Sequence, residues 1–266
     1  RGAHGQAIYL FNPFAEDKRT HRWNPLTYVS NDPNFRVSDL MSIAQMLYPL
    51  SDNDQNKFFV SQAQNVFLAL SLYAFEQYAE AQASTPDTAH LLKPTIGMIY
   101  RLGSGEGSDL KQHLSGMAQA TFLSQSARTA FAGILSQAEE TFASIMGSFK
   151  EPLLPWLNPV VDAATSGDDF LLTDVRKRKM TIYVGIQPNK LAESRLIVNL
   201  FFSQLINQNT KELPQNNPDL KYQCLLLMDE FTSIGKVDII AKAVSYMAGY
   251  NIRLLPIIQS MAQLDA

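Results

Sequence analysis

The feature that most constrains this chain is a change of hydrophobic period. Short apolar runs of strand type occur only near its two ends, and about 120 residues of helical spacing separate them. Ala7-Ile8-Tyr9-Leu10-Phe11 is β-branched and aromatic and is stopped by Asn12-Pro13, as expected of a buried strand. From about Asn34 to Trp156 strand runs vanish. Val37, Leu40, Ile43, Ala44 and Leu47 recur at helical spacing, and Phe67, Leu70, Leu72 and Phe75 fall in a second, longer helix. Leu123, Ala127, Ala130, Ile134, Ala138, Phe142 and Ile145 mark a further helix. Pro49, Ser84-Thr85-Pro86-Asp87, Pro94 and Gly103 to Gly107 punctuate the block.

After Trp156 the strand signal returns. Met180 to Ile186 reads as a strand ended by Pro188, Glu193 to Asn207 as an amphipathic helix, and Cys224 to Met228 as a fully apolar strand. Asp238 to Ala248 reads as a helix ending near Gly249, and Ile252 to Ile258 as a fourth strand, although Pro256 cannot donate to a sheet ladder. Strands alternating with helices imply a parallel sheet with crossover helices. The expected organisation is an α/β domain over residues 1–33 and 157–266, split by an all-α insertion over residues 34–156.

Composition narrows the function classes. With 46% hydrophobic and 18% charged residues the chain has the balance of a globular protein. Its longest nearly apolar run, Val66 to Phe75, is shorter than the roughly 20 residues of a membrane span. No signal-peptide pattern opens it. One cysteine, Cys224, excludes a disulfide framework, and His4, His21, His90 and His113 show no ligand spacing. The chain starts at Arg1, directly before a strand pattern, and reads as a piece of something longer. The net charge is −3, and the helical block, with eleven acids against seven bases, carries −4. Duplex binding needs clustered Lys and Arg to displace counterions. The block therefore suits a protein partner, or is simply a solvated acidic surface.

The chemistry-bearing signal is Leu225-Leu226-Leu227-Met228-Asp229-Glu230. An apolar strand delivers two carboxylates at its C-terminal tip, the edge where parallel sheets bind ligands. In nucleotide-driven motors the first carboxylate holds Mg²⁺ and the second activates the attacking water. The alternative is a helix cap or a solvated turn. The last strand delivers Gln259-Ser260 to the same edge, where a glutamine can touch a γ-phosphate; a Gln-Ser helix cap is the other reading. Arg176-Lys177-Arg178-Lys179 could face nucleic acid or form a solvated turn before a strand, and the turn is favoured. Trp23 suits a packing anchor, and Cys224 a small buried hydrophobe.

Several motifs in order resemble the TraG-type coupling proteins of type IV secretion and conjugation. They are His21-Arg22-Trp23-Asn24-Pro25-Leu26, Asp169-Phe170, Met228 to Gly235, Ala248 to Arg253, and Gln259 to Leu264. The resemblance implies a RecA-like P-loop NTPase sheet, incomplete here, interrupted by an all-α domain. It also implies a hexameric ATPase at the cytoplasmic face of the bacterial inner membrane, using ATP and Mg²⁺. Such proteins pass relaxase-bound single-stranded DNA or protein effectors to inner-membrane components of the secretion channel. By this resemblance Asp229 matches the Walker B Mg²⁺ position, Glu230 the catalytic glutamate and Gln259 the sensor glutamine. Two departures stand out. No GxxxxGK[ST] phosphate loop occurs, so this piece should not bind ATP well by itself. Ala248 stands where some relatives carry a basic finger residue, which leaves Arg253 as a weak substitute for contacting nucleotide. The alternative reading is that the piece serves as a substrate-recognition module without hydrolysis of its own.

Overall fold

The computed structural model describes residues 5–50, 56–105, 109–229 and 238–258. They form two compact units. One contains the chain up to Pro25 and from Ala163 onward; the other is Leu26–Asp162. The division thus falls at 25/26 and 162/163, outside the 33/34 and 156/157 positions read from hydrophobic spacing. The 3-10 turns Pro25–Tyr28 and Glu151–Leu157 carry no long periodic stripe that would assign them from sequence.

The first unit is α/β. Its strands are β1 (Ala7–Phe11), β2 (Met180–Val184), β3 (Cys224–Met228) and β4 (Ile252–Pro256). β1 pairs in parallel with β2, Ala7 opposite Met180 and Phe11 opposite Val184. β3 pairs in parallel with β4, Cys224 opposite Ile252 and Met228 opposite Pro256. β2 ends before Gly185-Ile186, and β4 before Ile257. Pro256 is the last paired residue of β4, where its missing N–H costs least. The next donor, Ile257 N–H, reaches the Met228 carbonyl at 2.9 Å and prolongs the ladder.

An aromatic cluster forms the core beside β1 and β2. Phe11, Trp23, Phe170 and Phe201 are all essentially inaccessible. Phe11 stacks on Phe201 at 5.4 Å, and Trp23 meets Phe201 edge-on at 5.0 Å. Trp23 is therefore a packing anchor. Phe201 belongs to a helix spanning Leu191–Asn209, longer at both ends than the Glu193 to Asn207 stretch expected. The expected helix from Asp238 to Ala248 is shorter: Asp238–Ala243, followed by a 3-10 turn at Met247–Tyr250. Asn251 then adopts a left-handed conformation (φ 58°), and its carbonyl accepts from Cys224 N–H, bringing β4 alongside β3.

The second unit is all helical. In chain order its principal helices are α1 (Pro33–Leu47), α2 (Lys57–Ser84), α3 (Pro86–Ala89), α4 (Ile96–Leu102), α5 (Leu110–Ala118), α6 (Gln125–Leu135) and α7 (Glu139–Lys150). α1, α3, α4, α6 and α7 all pack against α2. Among the described residues α2 is the one helix long and apolar enough to cross a membrane, but 56% of its apolar window is buried within the fold. Burial of Ala63, Val66, Phe67, Ala69, Leu70, Leu72 and Phe75 around its circumference marks a central core helix. Asp32, Thr95, Asp109 and Ser124 accept backbone N–H groups at four helix starts, as N-caps should.

The single helix expected from Leu123 to Ile145 is two. The chain leaves helical geometry at Ser136-Gln137-Ala138, and Glu139 and Glu140 open α7, where carboxylates favour the dipole. The apolar spacing hides this break because Ile134, Ala138 and Phe142 stay four residues apart across it. Ala138 itself is exposed.

Candidate functional site

The parallel β3–β4 pair carries the candidate site. In β3, Cys224, Leu226 and Met228 are buried while Leu225 and Leu227 are exposed, so the strand sits with one face on the unit's core. The residue after buried Met228 is Asp229, whose side chain is exposed at the C-terminal tip. Because Met228 pairs with Pro256, both strands end at one edge. Glu230 and Gln259, expected as catalytic base and sensor, lie outside the described residues. So do Phe231 to Gly235 and Ser260 to Leu264.

Arg253 is not brought to this edge. It is the second residue of β4, exposed and opposite Leu225, four residues short of Asp229 along the ladder. At about 3.3 Å per residue that is ~13 Å from the tip. A role for Arg253 at the same nucleotide as Asp229 does not follow from this register.

Asp229 fits a Mg²⁺–nucleotide site of the one-carboxylate kind, in which phosphates and waters supply the other ligands. Among the described residues no cluster of three or more His, Cys, Asp or Glu side chains could hold a metal alone. Gly103 to Gly105, part of the Gly-rich stretch, forms a turn after α4.

The motif residues His21 to Pro25 and Asp169-Phe170 converge elsewhere in the same unit. Arg22 Nη2 donates to Asp169 Oδ1 at 2.9 Å, and Arg22 backbone N–H donates to Asp169 Oδ2 at 2.8 Å. Asp169 N–H returns a bond to the Arg22 carbonyl at 3.0 Å. The Arg22 side-chain hydrogen bond is the main cause holding the Asp169 carboxyl below its usual range, and the same bond raises the guanidinium. Trp23 N–H donates to Ala164 O, and Gln204 Nε2 to Pro25 O. The motif therefore joins the two chain crossings that flank the helical insertion.

Sequence reasoning missed Arg176. Expected in a solvated turn, it is 2% exposed. Its guanidinium donates to Asn209 Oδ1 and to the carbonyls of Glu212 and Tyr250 at 3.0 to 3.2 Å. Its own carbonyl accepts from Tyr222 N–H. Burial lowers its pKa, and burial pushes the nearby Cys224 thiol up to about 11. No local pattern separates Arg176 from Lys177, Arg178 and Lys179, which are all exposed.

The model of the family described as type IV secretory system conjugative DNA transfer matches residues 1–266. Protein VirD4 of Rhizobium radiobacter is 29% identical over 268 residues, covering 99% of this chain and 36% of its own length. Conjugal transfer protein TraG of Escherichia coli is 21% identical over 251 residues, covering 92% of this chain and 39% of its own. The chain thus spans well under half the length of these relatives. Among solved structures, the bacterial conjugative coupling protein TrwB in complex with sulphate matches with a TM-score of 0.62 and 15% identity, over 98% of this chain and 52% of that one. TrwB in complex with ADP and Mg²⁺ matches with a TM-score of 0.61 and 15% identity, over 98% and 58%. The two parallel strand pairs and their helices are consistent with an incomplete RecA-like P-loop fold. This chain belongs to the coupling-protein family of type IV conjugative DNA transfer.

Proposed function

We propose that this chain is part of a coupling ATPase that receives relaxase–DNA or effector substrates and drives them to a type IV secretion channel. The observation that carries this reading is the parallel pairing of β3 with β4, which sets Asp229 and the segment leading to Gln259 at one sheet edge. Asp229 would hold Mg²⁺ on the nucleotide, Glu230 would take a proton from the attacking water, and Gln259 would meet the γ-phosphate. Bound Mg²⁺ would neutralise charge developing on the transferred phosphoryl group. TrwB has been solved with ADP and Mg²⁺ and with non-hydrolysable ATP and GTP analogues, which supports nucleotide use by the family. The amide cradle for the phosphates has no counterpart in the 266 residues and would come from elsewhere in the polypeptide. Hexamer formation at the cytoplasmic face of an inner membrane belongs to the same proposal.

The helical unit would supply substrate recognition. Its cations are largely committed to its own fold. Arg36 bonds the Ser30 and Asn31 carbonyls, Arg128 the carbonyls of Ala120 and Leu123, Arg101 pairs with Asp162, and Lys111 with Glu139. With eleven acids against seven bases over residues 34–156 the net charge stays negative, so a protein partner such as relaxase or effector fits better than a duplex. The test of the motor is Glu230→Gln in the full-length protein, which keeps shape but removes the base. ATP binding should persist while turnover is lost; unchanged hydrolysis would overturn the assignment.

A further inference from the structure

The β3–β4 pair is covered on one face only. Cys224, Leu226 and Met228 of β3 and Ile252 of β4 are buried, while the alternate residues turn the other way. Register sets Leu225 opposite Arg253 and Leu227 opposite Leu255, so these four side chains share the outer face. Leu225 and Leu227 are each 56% exposed and Leu255 46%, and Ile257 continues the row at 41%. The β1–β2 pair repeats the pattern, with exposed Leu10 in register with exposed Tyr183. Parallel strands occur almost only with both faces covered, because their crossover connections lay helices on each side. Arg253 is the one charged residue in either paired strand, and among the described residues it enters no ion pair.

A row of exposed aliphatic side chains on a parallel pair marks a surface that another element covers. The chain spans well under half the length of its relatives, so the same polypeptide has ample further sequence to supply that element. The single cation specifies its chemistry. Burying a guanidinium among leucines is costly unless a carboxylate meets it, and the planar fork of arginine matches a carboxylate with two hydrogen bonds. We propose that Leu225, Leu227, Leu255 and Arg253 form a docking face for a helix of the same polypeptide, outside residues 1–266, which carries an apolar stripe and an Asp or Glu that pairs with Arg253. The leucines supply the buried area, and Arg253 sets which helix fits and in what register. Arg253, set back from the Asp229 edge, thereby acts in assembly of the unit and not on nucleotide. The proposal rests on the α/β fold alone and is independent of nucleotide turnover.

The test is carbodiimide cross-linking of full-length protein carrying Arg253→Lys, read by peptide mass spectrometry. The reagent joins an amine only to a carboxylate in contact with it. The introduced amine should link to an Asp or Glu outside residues 1–266 of its own chain. Protein assembled from mixed isotopically light and heavy chains separates the sources, because a link within one chain gives no light–heavy product. Light–heavy products would assign the face to a second copy. They would overturn the proposal, as would a link to a carboxylate within residues 1–266 or no link at all. A second variant reads the leucines. In full-length protein, Leu227→Cys should be alkylated by iodoacetamide at least about a hundredfold more slowly than in urea. Labelling at the unfolded rate would show the face bare and overturn the proposal independently of Arg253. Neither readout involves ATP, so failure of the motor assignment would leave this docking face standing.

Discussion

Arg22 and Asp169 are 147 residues apart in sequence, yet they hold each other by side chain and backbone together. The residue two before the acid packs closely against the guanidinium. Gly167 leaves room for the guanidinium, and a Cβ there would come within 3.0 Å of Arg22 Cζ. Arg22 and Asp169 flank the helical insertion, so the clasp fixes the separation of the chain where the insertion leaves and returns. Part of the cost of closing a loop of that length is met by it.

The clasp should be visible as a pH-dependent contribution to stability. Both side chains are partly solvated, at 54% and 31% exposure, which keeps the charge-pair contribution near ~1 kcal/mol. Asp169→Asn should lower Tm by about 2–4 °C at pH 7. The native pKa of Asp169 is depressed, so its contribution is present above the unfolded value near 3.9 and is lost as pH falls through the native value. The Tm difference between Asp169→Asn and the parent should hold from pH 8 to 5 and close at more acid pH. A constant difference down to pH 2 would show that packing, not charge, is responsible.

Arg176 should be among the most sensitive positions of the α/β unit. Removing its side chain orphans the buried side chain of Asn209 and the half-buried carbonyls of Glu212 and Tyr250. Arg176→Ala should cost about 3 kcal/mol, and Arg176→Lys should recover only a minor part, because one ammonium cannot span the fork. Chemical denaturation of both variants measures this. A loss below ~0.5 kcal/mol for Arg176→Ala would refute the structural role.

Cys224 should be unreactive in the native protein. Burial pushes its thiol up to about 11, so near pH 8 the thiolate is scarce and the sulfur is also covered. Alkylation by iodoacetamide at pH 8 should run at least about a hundredfold slower than in urea-unfolded chain. Equal rates would place the residue at the surface.

Gly97 should tolerate no side chain. In α4 its Cα lies against the Asp162 carboxylate, which a Cβ would strike directly. Asp162 also binds Arg101 Nη1 at 2.7 Å, so it cannot yield without breaking that pair. Gly97→Ala should destabilise the helical unit by about 1–3 kcal/mol despite the better helix propensity of alanine. Hydrogen exchange at α4 amides would localise the effect, and a stabilised variant would contradict it.

Gln259 separates two roles by their readouts. As a γ-phosphate sensor, Gln259→Ala in full-length protein should reduce hydrolysis and transfer at least about tenfold with little change in Tm. As a helix cap alone, it should cost about 1 kcal/mol of stability with normal turnover per folded molecule. The second result would remove Gln259 from the proposed machinery.

What the sequence by itself determined is the local layer. The bounds of β1 and β3 were legible because each is a continuous apolar run with polar or proline residues at its ends. The all-α character of the insertion was legible because its apolar period is helical throughout. The family was legible because short motifs recur in a fixed order. Tertiary structure alone decided three things. It split the Leu123 to Ile145 stripe into α6 and α7, a break that conserves helical phase and so leaves no trace in spacing. It chose Arg176, and not its three basic neighbours, for burial, since only the return of Asn209, Glu212 and Tyr250 supplies enough acceptors to offset desolvation of a guanidinium. It also brought Arg22 to Asp169 and set Arg253 well back from the Asp229 edge, because strand register and long-range pairing depend on which segments meet in space, a relation that no window of adjacent residues contains.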